Sequence, residues 1–83
     1  MYFVYLLKST IRKWNYIGYT ENLKRRFKEH QSGLSQATKP YRPFELIFYE
    51  AYKSETDAKR REKYLKTNRG RRALKLMLKD TFK

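Results

Sequence analysis

Phe3-Val4-Tyr5-Leu6-Leu7, followed after a short polar stretch by Trp14-Asn15-Tyr16-Ile17-Gly18-Tyr19-Thr20, decides the fold. The first run is aromatic, β-branched and uninterrupted, so residues 1–8 are expected to form a strand covered on both faces and central, or nearly so, in a sheet. The second run alternates, which pairs it antiparallel with the first across the polar connection 9–13. Thr20 then stands where an N-cap belongs, with Glu21 in the first turn to meet the helix dipole. Leu23, Phe27 and His30 follow at i, i+4 and i+7, predicting a helix that ends near Ser32-Gly33. Residues 33–43 hold Gly33, Ser35, Thr38, Pro40 and Pro43 and read as a surface loop carrying Lys39 and Arg42.

The chain resumes with Phe44-Glu45-Leu46-Ile47-Phe48-Tyr49-Glu50-Ala51-Tyr52 as a third strand. Ser54-Glu55-Thr56-Asp57 is an S-x-x-D variant of the capping box and opens a second helix, running to about residue 67. Asn68 to Gly70 breaks it, and Ala73, Leu74, Met77 and Leu78 form the inner face of a last helix. The fold class is therefore α+β, in the order ββαβαα, with a three-stranded antiparallel sheet flanked by helices. Residues 1–83 make a single domain, because a second would need roughly 50 residues of its own to hold a core.

A net charge of +13, from 21 Lys and Arg against 8 Asp and Glu, points to a polyanionic partner. Residues 1–43 carry nine bases and two acids, and residues 44–83 carry twelve and six, so the charge belongs to the folded body and not to a tail. The chain has no cysteine, which excludes disulfides, zinc-thiolate sites and thiol nucleophiles. Eight Tyr, five Phe and one Trp supply the packing that small size demands. The apolar run Phe3–Leu7 is too short for a signal-peptide core or a membrane span, so no membrane role is expected and the default compartment is cytoplasmic.

Three features break the pattern of a plain core. Ala58, Glu62 and Leu65 lie at i, i+4 and i+7, which turns a carboxylate toward the core face. An unpaired buried carboxylate is expensive, so Glu62 either pairs with a neighbouring base or ligates a metal. A single carboxylate with waters and a substrate phosphate suits Mg²⁺, whereas one His and no Cys do not suit a transition metal. Arg26 and His30, one turn apart, flank the Leu23/Phe27 stripe; they either belong to a solvated run and a helix end or point at the strands. Tyr5 and Tyr16 are either core aromatics with satisfied hydroxyls or reactive phenols. Gly18 inside its strand often marks close approach of a ligand or another backbone. Together these features suggest phosphodiester chemistry.

Phe3-Val4-Tyr5, Tyr16-Ile17-Gly18 with eleven residues from Tyr to Tyr, Thr20, Asn22-Leu23, Arg25-Arg26, His30, Ser32-Gly33, Pro43 and Ala58-x-x-Arg61-Glu62-x-x-x-Lys66 together resemble a GIY-YIG nuclease domain. The likeness covers nearly the whole chain and is strongest to small stand-alone members, similar to the nuclease domain of the bacterial nucleotide-excision-repair endonuclease. It implies the same α+β order and hydrolysis of DNA phosphodiesters with one divalent ion, Mg²⁺ or Mn²⁺. By that resemblance Tyr5 and Tyr16 match the motif tyrosines, Arg26 the catalytic arginine, His30 the helix histidine, Glu62 the metal-binding glutamate, and Asn68 a late asparagine of some members. Phe3 replaces the first glycine of the family pattern, which bears on strand packing more than on chemistry.

Hydrolysis needs a base for water, a partner for the phosphate charge and relief for the leaving oxygen. A phenol with an ordinary pKa of about 10 is a poor base, and Arg26, Lys24 and Arg25 are expected to lower it at Tyr5 or Tyr16. DNA is expected along Lys59-Arg60-Arg61-Glu62-Lys63 and Arg69-Gly70-Arg71-Arg72, where eight of the fourteen residues 59–72 are basic. The expected activity is a metal-dependent DNA endonuclease, structure-selective or nonspecific, in DNA repair or processing. No recognition module is expected with this domain, so neither a sequence-specific restriction enzyme nor a homing endonuclease is supported; a protein partner supplying target specificity is among the expected partners. Two rivals share the fold: a module that binds without cutting, and an RNA-directed protein.

Overall fold

The computed structural model describes residues 1–83. Three strands, β1 (Tyr2–Ser9), β2 (Asn15–Thr20) and β3 (Phe44–Tyr52), form one antiparallel sheet in the order β2-β1-β3. Three helices, α1 (Leu23–Ser32), α2 (Glu55–Leu65) and α3 (Asn68–Met77), complete the order ββαβαα, with a short 3₁₀ turn at Lys39–Tyr41. The unbroken apolar run of β1 is explained by its place between two strands and between two covered faces.

Side chains of β1 alternate between two cores. Val4 and Leu6 join Ile17, Ala58, Leu65 and Leu74 beneath α2 and α3, while Tyr5 and Leu7 join Phe44, with Tyr16, Leu23 and Phe27 packed around them on the α1 side. Ala58 and Leu65 are fully buried; the small residue lets α2 approach the sheet, and the Leu contributes about 1.5–3 kcal/mol by leaving water.

A bulge rephases β3. Leu6 pairs with Phe48 but Leu7 pairs with Leu46, leaving Ile47 unpaired in the ladder. Phe44 and Leu46 therefore face α1, whereas Ile47 and Phe48 both pack beneath α2 and α3. Glu50 then meets α2, where Arg61 Nε and Nη2 donate to its two oxygens at 2.9 and 3.1 Å.

Four local expectations are corrected. Thr20 is not the N-cap of α1: it remains paired with Phe3 in the sheet, and Asn22 caps instead, its Oδ1 accepting from the Arg25 N–H at 3.0 Å. No acid lies in the first turn, so Glu21 does not serve the helix dipole. The second break falls at Lys66–Thr67, with Thr67 capping α3, so Asn68 and Gly70 are helical. A side chain at Gly70 would collide with the Tyr64 carbonyl oxygen, so this glycine allows α3 to fold tightly back on α2. Met77 is half exposed and leaves the inner face of α3 to Ala73, Leu74 and Leu78. The cap at Ser54, which accepts from the Asp57 N–H, and the left-handed Gly33 (φ 82°) closing α1 agree with expectation.

Candidate active site

Tyr5 sits mid-strand on β1, facing α1, and only 2% of it is exposed. Its cross-strand partner is Gly18. A Cβ at position 18 would run into the phenol ring and its hydroxyl. The close approach at Gly18 is thus made by the Tyr5 side chain, not by a ligand or another backbone as the sequence suggested.

His30 reaches the same place from the last turn of α1 and is fully buried. Tyr5 Oη lies 2.7 Å from its Nε2, and Thr38 Oγ1 lies 2.8 Å from its Nδ1. The Thr38 hydroxyl can donate onward to the Ser35 carbonyl at 3.4 Å. That assigns the ring: Nδ1–H donates to Thr38, and the free Nε2 lone pair accepts the Tyr5 proton. Thr38 is the residue that sequence reasoning missed. It stands in a polar loop with no periodicity, and only its burial, complete here, shows that it is internal.

Burial, seconded by the charge of Arg26, pushes His30 down to about 4, so the ring is neutral near pH 7. Burial likewise pushes Tyr5 up to about 12, with the nearby Arg26 guanidinium acting against it. This overturns the expected net lowering of that phenol. Lys24 and Arg25 are exposed, Arg25 lying 4.0 Å from Glu29, and neither contributes to the shift at Tyr5. Arg26 alone of the three is drawn inward, its Nη1 donating to Glu29 Oε1 at 3.0 Å.

Tyr16 closes the cluster from the edge strand, its ring centre 6.4 Å from that of Tyr5 and 5.4 Å from that of His30. Glu62 arrives from α2, near enough for its charge to raise Tyr5. It pairs with Lys66, Nζ to Oε2 at 3.2 Å, and Lys66 Nζ also lies 5.6 Å from the Tyr16 ring centre. The Glu62 side chain is 24% exposed, so solvent reaches it. Tyr5, Tyr16, Arg26, His30 and Glu62, from four elements, are brought to one place.

No three His, Cys, Asp or Glu residues gather in a metal-holding group. The donor set is a single hard oxygen ligand beside open solvent, which fits Mg²⁺ or Mn²⁺ completed by waters and a substrate phosphate. Glu62 is the residue that would hold it.

The basic surface divides into engaged and free cations. Arg61 is engaged by Glu50, Lys59 lies 3.7 Å from Glu55, and Arg60 lies 3.0 Å from Asp57. Arg61, half-buried in its fork, is thereby a fold contact as well as a positive charge. Lys24, Lys39, Arg42, Lys63, Arg69, Arg71 and Arg72 are exposed without an ion pair. Asn68 is exposed at the start of α3, in a shallow recess with Arg71, Arg72 and Lys75, and is not drawn into the Tyr5–His30 cluster.

The family model described as the GIY-YIG catalytic domain matches residues 1–75. The UPF0213 protein YazA of Bacillus subtilis is 39% identical over 66 residues, spanning 78% of this chain and 66%, just under two thirds, of that one. A UPF0213 protein of Clostridium perfringens is 31% identical over the full chain and 89% of its own length. The solution NMR structure of a UPF0213 protein from Bacillus halodurans superposes with a TM-score of 0.57 at 32% identity, covering 92% of this chain and 83% of that one.

Proposed function

The chain belongs to the GIY-YIG family, whose members are generally nucleases, and from that premise we propose that it is a divalent-metal-dependent endonuclease that hydrolyses DNA phosphodiester bonds in repair or processing. The observation that carries this reading is the hydrogen bond between Tyr5 and a neutral His30 with Arg26 beside both.

Arg26 offers a planar fork to two oxygens of a bound phosphodiester. Its positive charge otherwise opposes protonation of His30, and the phosphate offsets that charge, so His30 becomes a better acceptor only when substrate is present. As water attacks phosphorus, its proton passes to the Tyr5 oxygen while the Tyr5 proton passes to His30 Nε2. The imidazolium so formed keeps its Nδ1–H on Thr38. Tyr16, across the pocket, orients the water or serves as the base in place of Tyr5. Held at Glu62, Mg²⁺ or Mn²⁺ supplies positive charge for the phosphate and the departing oxygen. Free cations such as Lys63, Arg69 and Arg72 hold the flanking backbone without reading sequence.

The test is incubation of the purified protein with duplex, branched and single-stranded DNA and with structured RNA, in Mg²⁺, in Mn²⁺ and in chelator. Cleaved DNA in either metal and none in chelator is the expected result. Retention of DNA with no product under any condition would make this a binding module, and cleavage confined to RNA would make it an RNA-directed enzyme. No helix is long and apolar enough to cross a membrane.

A further inference from the structure

A cleft of about 490 Å³ opens between the edge strand β2 and α3, beside the proposed site but outside it. Its floor is apolar, with Ile17 and Leu74 among its residues, and its cations are Lys13, Lys66, Arg71 and Lys75; no carboxylate lines it. Tyr16 forms part of the wall, and Lys66 is the same lysine that pairs with Glu62. Tyr16 thus belongs to the cleft and to the proposed site at once, and Lys66 bridges the two through Glu62.

Contacts to duplex phosphates need only exposed cations, and α2 and α3 supply those on open surface. An apolar recess among cations is of no use to a phosphate, but it suits a nucleobase whose own phosphates stay at the rim. The volume falls in the usual small-ligand range of about 300–1,000 Å³. Bases in a duplex are stacked and paired, so one can enter a recess only from a single strand or after swinging out of the helix.

We propose that this cleft seats one unpaired nucleotide of a DNA strand, base on the Ile17/Leu74 floor and phosphates on Lys13, Arg71 and Lys75, and so sets single-stranded or locally unpaired DNA as the substrate class. The inference rests on the nuclease reading for the identity of the strand. Lys66 and Tyr16 at the junction direct the neighbouring phosphodiester toward Arg26. Trp14 in the wall already stacks on Tyr41, ring centres 3.8 Å apart, so it lines the cleft without being the stacking platform.

Trp14 is also the only tryptophan, which makes the cleft self-reporting. The experiment is a fluorescence titration in chelator with a short oligothymidylate, an abasic strand of equal phosphate count, and a duplex of equal length. The oligothymidylate is expected to change Trp14 emission and to bind at least about tenfold more tightly than the abasic strand, since a seated base contributes where bare phosphates do not. Lys75→Glu should abolish that tenfold advantage, whereas Lys24→Glu, an equal charge change on exposed α1, should weaken all three ligands alike. Equal affinity for the base-bearing and abasic strands, an equal emission change with duplex, or indistinguishable behaviour of the two variants would overturn the proposal. Because the readout is metal-free, failure here with DNA cleavage intact removes only the cleft. Base-dependent binding with no cleavage removes only the nuclease reading.

Discussion

The Tyr5 hydroxyl lies 2.7 Å from Nε2 of His30, joining a phenol on the central strand to an imidazole at the end of α1. Each group has its charged form opposed by burial: the imidazole is held to about 4 and the phenol pushed up to about 12. The resting pair is consequently neutral on both sides across the physiological range, with a proton placed to move between them.

Acid stability follows from the histidine. Its unfolded pKa of about 6.5 falls to about 4 on folding, so between these values the unfolded chain binds more protons. The resulting stabilisation is full above about pH 6.5 and is lost as pH drops toward 4, amounting to at most about 3 kcal/mol. Urea midpoints measured from pH 7 to pH 4 should fall more steeply for the parent than for His30→Gln. Parallel curves would show that His30 does not titrate differently in the two states.

Thr38 holds the other ring nitrogen. Thr38→Val keeps the shape but strands the buried Nδ1, so stability should drop by about 1–3 kcal/mol, and Thr38→Ser should recover most of it. Because Thr38 acts through His30, kcat should fall with KM little changed, and the pH–rate profile should shift. A Val variant with parental kcat and profile would leave Thr38 as packing alone.

Gly18→Ala tests the seat of Tyr5. The added Cβ collides with the phenol ring and hydroxyl, and the ring is walled in by β1 and α1, so a stability loss of about 1–3 kcal/mol is expected. Combining it with Tyr5→Ala should cost less than the sum of the single changes, because the shortened side chain removes the obstruction. Additive costs in denaturant unfolding would mean that position 18 matters for another reason.

The elements were legible because β1 is an unbroken apolar run and α1 and α2 carry helical periods. The bulge at Ile47 was not, since Leu46, Ile47 and Phe48 are all apolar and only the register with Leu6 and Leu7 shows which faces which. Helical spacing singles out Arg26, His30 and Glu62, and residue type beside Gly18 singles out Tyr5 and Tyr16. Thr38 escaped because its role depends on a loop folding back on α1. The sign of the Tyr5 shift also escaped, because charge can be counted along a sequence while desolvation at a covered strand cannot.

Glu62→Gln separates charge from shape. Cleavage should be lost and DNA affinity in chelator nearly kept. The side chain is only partly buried and already paired with Lys66, so stability should change by no more than about 0.5 kcal/mol. Were Glu62 an inward, unpaired charge, neutralisation would raise stability, so thermal unfolding tests the pairing with Lys66. Parental cleavage rates at saturating Mg²⁺ would remove Glu62 from the mechanism.

The last prediction concerns Arg26 and the identity of the base. The Arg26 guanidinium acts against the upward push on Tyr5 and helps to hold His30 neutral. Arg26→Lys retains a cation but loses the planar fork, so turnover should fall at least tenfold, about 1.4 kcal/mol of transition-state stabilisation. Arg26→Ala should fall further and move the acid limb of the pH–rate profile to higher pH, because His30 loses a charge that helps to hold it neutral. Tyr5→Phe and Tyr16→Phe should each slow cleavage, but only loss of the phenol that hands its proton to the histidine should remove the acid limb set by His30. The relay from Tyr5 to His30 Nε2 assigns that outcome to Tyr5→Phe, whereas loss of the limb in Tyr16→Phe alone would move the base to the edge strand. If both variants kept the parental rate and profile, the phenols would be packing residues, and His30→Ala, read by the same profile, would then have to carry the loss.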